Sequence, residues 1–137
     1  MNLRNIFTFS ICIFINLLIG NIALLMFPDL AVVYRIIISS SVLLMYWVIF
    51  HKINSTNKKY TRWQLAGIAV LLSLLGMMIA CVFTSIGTRL PMDNMITAGM
   101  KGLIPMFIFA IVFASPFWIP LAIVNFACLN FMKRIRK

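Results

Sequence analysis

Four long apolar runs divide the chain, and short polar or basic segments separate them. The runs cover about residues 6–27, 31–50, 63–86 and 103–132. Each can cross a hydrocarbon core roughly 30 Å thick, because a helical crossing takes about 20 residues. Lipid offers no partners to backbone amides, and so few segments could not close a barrel. The pattern predicts an all-α polytopic membrane protein, with residues 1–137 forming one bundle of four transmembrane helices.

Positive residues fall unequally on the two sides of this predicted bundle. Nine lie at the N-terminus, between the second and third runs, or in the C-terminal tail, against three on the other side: Arg35, Arg89 and Lys101. Lysine and arginine concentrate in cytoplasmic loops of membrane proteins. The count therefore predicts cytoplasmic N and C termini in a bacterial cytoplasmic (inner) membrane. Tyr46 and Trp47, near the end of the second run, are expected in the cytoplasmic aromatic belt.

Composition agrees with this architecture and excludes others. The chain is 64% hydrophobic and 10% charged, whereas soluble domains are about half apolar and a quarter charged. The net charge of +10 would suggest nucleic acid in a soluble protein. Here the basic residues sit between apolar runs and set orientation, so no nucleic-acid partner is expected.

The third run carries a stripe of small residues at spacings of three and four. We define this small-residue stripe as Ala66, Ala69, Ser73, Gly76 and Ala80. Helices in lipid associate through close backbone approach, which small residues permit. The stripe predicts that the third helix is the centre of the bundle. The same geometry would serve a self-association face in a homo-oligomer.

Polar side chains fall at a similar depth in all four runs. They are Asn16, Ser39, Ser40, Ser73 and Ser115, each predicted near the middle of the bilayer. One interpretation is hydrogen bonding between helices, worth about 0.6 kcal/mol per contact on average. The other is a midplane site or path for a polar solute. Asn125, nearer the end of its run, is interpreted as an interfacial residue.

The fourth run is long and holds Pro116 and Pro120. Proline removes an amide donor and clashes with the preceding turn, so a kink is expected there. Such a kink is either a hinge or an ordinary feature of a membrane helix.

The segment predicted on the outer side contains charge and exposed apolar side chains. Arg35, Arg89, Asp93 and Lys101 are candidate contacts for an acidic partner or for lipid head groups. Residues 87–102 are also rich in methionine, which adapts to partner surfaces. The simpler interpretation of this segment is a connector.

Residues needed for catalysis are scarce. The sequence has no glutamate, and its single histidine, His51, has no acidic neighbour. Three cysteines lie far apart within apolar runs, so neither a redox pair nor a metal site is expected. The absence of a carboxylate inside a run disfavours proton-coupled transport. We therefore expect no enzyme activity, catalytic residue, metal or cofactor.

Together these patterns favour a small inner-membrane protein that acts through helix packing with a membrane partner, as an accessory subunit or an immunity-type protein. Its expected partners are the lipid bilayer and another membrane protein or itself. The alternative is a small oligomeric channel or transporter that passes a polar solute along the midplane belt.

Overall fold

A computed structural model describes residues 3–56, 60–90 and 94–135, with side chains described from residue 6 to residue 132 within those ranges. The described chain is helical: α1 (Leu3–Leu24), α2 (Val32–Ser55), α3 (Arg62–Arg89), α4 (Met95–Phe113) and α5 (Ser115–Ile135). Each of these five helices is long and apolar enough to cross a membrane.

The first three apolar runs each form one helix, but the fourth forms two. α4 begins at Met95, eight residues before the predicted start, and α5 follows after a break at Ala114. Pro116 lacks an amide donor, so the hydrogen-bond ladder loses one bond beside the break. A proline alone does not end a helix in this chain, because α4 continues through Pro105 and α5 through Pro120. The indole Nε1 of Trp118 donates to the Ile111 carbonyl at 3.1 Å. This bond serves one of the last four carbonyls of α4, which have no intrahelical donor.

Local signals fix the start of α3. The Thr61 side chain accepts from the Gln64 amide at 3.3 Å, and the Gln64 side chain accepts from the Thr61 amide at 2.9 Å. This reciprocal capping box satisfies two donors that the first turn would otherwise leave unpaired. The helix therefore begins at Arg62, immediately after the basic connection.

α3 lies at the centre of the bundle, where it packs against α2, α4 and α5, while α1 packs against α2 and α5. We call the two ends of the bundle the Lys52 end and the Arg89 end. The main core lies toward the Lys52 end, where Phe9, Phe50, Leu65 and Met132 belong to one buried cluster. The beginning of α1 and the end of α5 therefore lie at the same end of the bundle.

α4 and α5 together form an arch beside α3. This arch contacts α3 at two places. Ser85 of α3 donates to the Ala98 carbonyl near the start of α4, and Asn125 of α5 donates to Ser73 of α3. Along α3 these two contacts are about 18 Å apart, whereas a straight helix from Ala98 to Asn125 would be about 40 Å long. The chain must therefore bend away from α3 between the two contacts, and the break at Ala114 lies within this interval.

Candidate functional site

Four helices each contribute one side chain to a buried polar cluster. The cluster consists of Asn16 from α1, Tyr46 from α2, Ser73 from α3 and Asn125 from α5. All four side chains are at most 3% exposed. Because a buried polar group without a partner is costly, the hydrogen bonds of this cluster determine its effect on the bundle.

Three members of the cluster form a closed ring of hydrogen bonds. Asn16 Nδ2 donates to Asn125 Oδ1, Asn125 Nδ2 donates to the Tyr46 hydroxyl, and that hydroxyl donates to Asn16 Oδ1, each at 2.9 Å. Ser73 accepts from Asn125 at 3.1 Å and donates to the Ala69 carbonyl at 3.0 Å. A fully bonded network of this kind rigidifies and specifies a unique packing. The cluster ties four helices together without needing a ligand.

Sequence reasoning singled out Asn16 and Ser73 but not their two partners. Tyr46 was expected in the aromatic belt because the second run was taken to end at residue 50. α2 continues to Ser55, which places Tyr46 nine residues inside the helix. Asn125 was interpreted as interfacial, yet it is fully buried and lies between Asn16 and Ser73. In the sequence, Tyr46 shares a helix face with Phe50, and Asn125 shares one with Leu129. Only the packing shows that these two faces meet.

A cavity of about 770 Å³ lies between α1 and the arch, and it extends from the buried polar cluster to the Arg89 end. Its walls are mostly apolar, with Leu17 and Leu24 on one side and Phe109 and Phe113 on the other. α1 does not pack closely against α4, and the cavity is partly open. Its position follows from the bend of the arch away from α3.

Polar groups interrupt the apolar walls at several levels. Asn16 and Ser73 form the floor, where both are already hydrogen-bonded. Higher on the wall, Asn21 of α1 and Ser39 of α2 exchange hydrogen bonds of 3.2 and 3.3 Å. Arg89 lines the cavity at the end that is farthest from the cluster. The cavity therefore has a neutral, satisfied floor and a cationic mouth.

The cations predicted on the outer side have different surroundings. Arg35 donates through Nη2 to the Phe27 carbonyl at 3.0 Å, which braces the turn between α1 and α2. Arg89 is half-buried, while Lys101 is exposed on α4. Asp93 lies outside the described residues.

The small-residue stripe divides between packing and cavity wall. Ala69 and Ser73 are buried, whereas Ala66, Gly76 and Ala80 are half-buried. Gly76 and Ala80 line the cavity instead of meeting another backbone. A close approach to α3 occurs instead at Gly102 of α4, where an added Cβ would overlap the Ser85 side chain.

The remaining predicted residues lie away from the cluster. Ser40 is exposed on α2, and Ser115 is half-buried in the first turn of α5. Pro116 lies beside the break between α4 and α5, while Pro120 lies inside α5 without ending it. The structure thus separates the two prolines, which the sequence presented as one kink.

The described residues contain no group of three histidine, cysteine, aspartate or glutamate side chains that could hold a metal ion. The assembled groups are amides, hydroxyls and one guanidinium, which bind by hydrogen bonding and charge. Comparison of the chain with protein-family models, with curated proteins and with solved structures found no match.

Proposed function

We propose that this chain is a multi-pass protein of a bacterial cytoplasmic membrane that acts by binding another membrane protein and not by catalysis. It would serve as an accessory subunit or as an immunity-type protein. The observation that carries this proposal is an exposed apolar surface at the Arg89 end. We call it the outer patch and define it as Leu90, Met95, Ile96 and Met100.

The proposed orientation has four crossings with both termini cytoplasmic. α4 starts beside Ser85 at the Arg89 end, and α5 ends in the same core cluster as Phe9 at the Lys52 end. This arrangement supports a single crossing made by α4 and α5 together. The excess of lysine and arginine in the segments at the Lys52 end supports a cytoplasmic location for that end.

The outer patch has the features of a protein-binding surface. Ile96 is 77% exposed and Met100 is 71% exposed, and both lie in the first turns of α4, near the predicted boundary with water. Large apolar groups in a wet, polar zone are costly unless another surface covers them. Methionine adapts its shape to a partner.

Photo-crosslinking in native membranes tests this proposal. A photoreactive amino acid replaces Ile96, and the matched control replaces Val33, which is 64% exposed at the same end of the bundle on α2. We expect a discrete protein adduct from position 96 and only lipid adducts from position 33. Lipid adducts alone from both positions would refute partner binding at the outer patch.

A small oligomeric channel or transporter is the second candidate, and the cavity with Asn16 and Ser73 on its floor is the observation that favours it. The floor is closed by bonded side chains, so a solute path to the Lys52 end would require the ring to open. Solute flux into proteoliposomes that Asn16→Leu abolishes would support this candidate. Equal leak with and without protein would reject it.

A further inference from the structure

The cavity between α1 and the arch has the characteristics of a ligand site that is separate from the outer patch. Its volume of about 770 Å³ falls within the range of about 300–1,000 Å³ typical of small-molecule pockets. Its walls are mostly apolar, and it is partly open, with α1 and α4, which do not pack closely together, both in its lining. Apolar cavities are poor sites for water, which needs two to four polar partners. An occupant would therefore be a molecule that dissolves in the bilayer.

The length of the cavity matches one leaflet. Ser73 on the floor and Arg89 at the mouth are 16 residues apart on α3, which corresponds to about 24 Å. Half of a bilayer, including its head groups, is about 20–22 Å thick. A lipid with one chain in the cavity would therefore place its head group beside Arg89.

Charge at the mouth selects among lipids. Arg89 lines the cavity and is half-buried, and no side chain in the described part of the structure accepts a hydrogen bond from it. A guanidinium presents a planar fork of donors that fits phosphate or carboxylate oxygens. The guanidinium also attracts a zwitterionic head group less strongly than an acidic one. The mouth thus favours an anionic head group.

The cavity suits an acyl chain better than a helix from another protein, because a helix with its side chains is about 10 Å across. An acyl chain is much thinner and can follow the curved wall made by Phe109, Phe113 and Trp118. We propose that this cavity binds an acidic phospholipid, with an acyl chain between α1 and the arch and the head group at Arg89.

Fluorescence quenching by brominated lipids tests the proposal on the full chain. Trp118 lines the cavity, whereas Trp47 is 49% exposed on the outside of α2. One single-tryptophan variant (W47F with W63F) reports the cavity, and the other (W63F with W118F) reports bulk lipid. Vesicles of phosphatidylcholine contain increasing mole fractions of brominated phosphatidylglycerol or brominated phosphatidylcholine.

We expect Trp118 quenching to saturate at a mole fraction of phosphatidylglycerol about five- to tenfold lower than that of phosphatidylcholine, as one charge-assisted contact predicts. Trp47 should follow bulk composition for both lipids. Arg89→Gln should remove the preference, and Arg89→Lys should retain most of it. Equal quenching of Trp118 by the two lipids, or an unchanged preference in Arg89→Gln, would overturn the proposal.

Two further experiments identify the molecule that occupies the cavity. Gly20 lines the cavity with no atom within 4 Å of an added Cβ, and Gly67 has equally open surroundings on the exposed side of α3. Gly20→Leu should abolish the saturable quenching of Trp118, while the matched control Gly67→Leu should preserve it. If both leucine variants preserve the saturable quenching, the acyl chain of the lipid does not enter the cavity. If millimolar inorganic phosphate removes the preference, Arg89 binds a free anion and the lipid assignment is wrong.

Discussion

Asn16 and Asn125 are 109 positions apart in the sequence, yet Nδ2 of one lies 2.9 Å from Oδ1 of the other. This bond joins the first helix to the last, and Tyr46 completes the ring by bonding to both amides. In lipid the apolar faces of helices gain little by leaving a solvent that is equally apolar. Directional bonds of this kind therefore contribute specificity that apolar packing alone does not supply.

Replacing Asn125 with leucine should destabilise the bundle. Leucine has a similar volume, but it removes the acceptor of one Asn16 amide hydrogen and the donor to Tyr46 and Ser73. Asn16 Nδ2 keeps its bond of 2.8 Å to the Cys12 carbonyl. A buried group left unpaired costs about 1–3 kcal/mol. The free energy of unfolding in mixed micelles, measured by denaturation with sodium dodecyl sulfate, should fall by that amount.

Asn130→Leu is the control for this experiment, because Asn130 is half-buried on the same helix and lies outside the ring. A double-mutant cycle between Asn16→Leu and Asn125→Leu should give a coupling energy of about 0.6–1.7 kcal/mol, the range seen for helix contacts in membranes. A coupling energy of zero would show that the two amides do not interact in the folded protein.

Gly102→Ala should weaken the contact between α3 and α4. An added Cβ overlaps the Ser85 side chain, and Ser85 also donates a hydrogen bond to the Ala98 carbonyl at this contact. Overpacking of this kind costs about 1–3 kcal/mol in the free energy of unfolding. Gly67→Ala, in open surroundings, should be neutral or stabilising by up to about 1 kcal/mol.

Removing the Ser85 side chain opposite the new methyl group provides a sharper test of the same contact. The double variant Ser85→Gly with Gly102→Ala moves the small residue to the other helix and removes the overlap. It should recover part of the stability that Gly102→Ala loses. The recovery is incomplete because glycine at position 85 cannot donate to the Ala98 carbonyl. If the double variant is less stable than the sum of its single variants, the contact at Gly102 is not the cause of the loss.

The sequence predicted the helical architecture and the first three helices because apolar length alone determines where a crossing forms. It could not show that residues 103–132 divide at Ala114, since Pro116 and Pro120 look alike in a sequence. Only Pro116 lies beside the break. Whether a helix continues past a proline depends on packing and on substitutes such as the Trp118 bond to Ile111.

Half of the buried polar cluster was also visible from the sequence. Asn16 and Ser73 were found because depth can be counted from the ends of their runs. Tyr46 and Asn125 were misplaced because the lengths of α2 and α5 differ from the apolar runs that suggested them. The cavity could not be predicted, since it depends on the bend of the arch away from α3.

Restoring the amide at the break should straighten the arch. In Pro116→Ala, residue 116 can donate to the Val112 carbonyl, and α4 can continue into α5. Spin labels at Ile104 and Ile119, both exposed on the surface of the bundle, would measure the change by pulsed electron paramagnetic resonance. A continuous helix places these positions about 22 Å apart, so the distance should rise towards that value.

Pro120→Ala is the matched control, because Pro120 lies inside α5, which continues through it. The distance between the labels should change little in this variant. If Pro120→Ala lengthens the distance as much as Pro116→Ala does, the bend is spread over the segment that contains both prolines. The missing amide of Pro116 beside the break is then not its specific cause. If neither changes it, packing against α3 holds the arch without the prolines.

Accessibility of single cysteines should reveal four crossings. The native cysteines lie inside the helices and are replaced first by alanine. New cysteines are then placed at Ser55, at Asn94 and after the last residue. Since α4 and α5 start and end at opposite ends of α3, a membrane-impermeant maleimide added to spheroplasts should label only position 94.

The same experiment separates this arrangement from five full crossings. With five crossings, the cysteine after the last residue would lie on the same side as position 94 and opposite Ser55, so it would react together with position 94. Permeabilised spheroplasts serve as the control, in which all three positions should react. Labelling of the C-terminal cysteine in intact spheroplasts would refute both the single crossing by the arch and the cytoplasmic C-terminus.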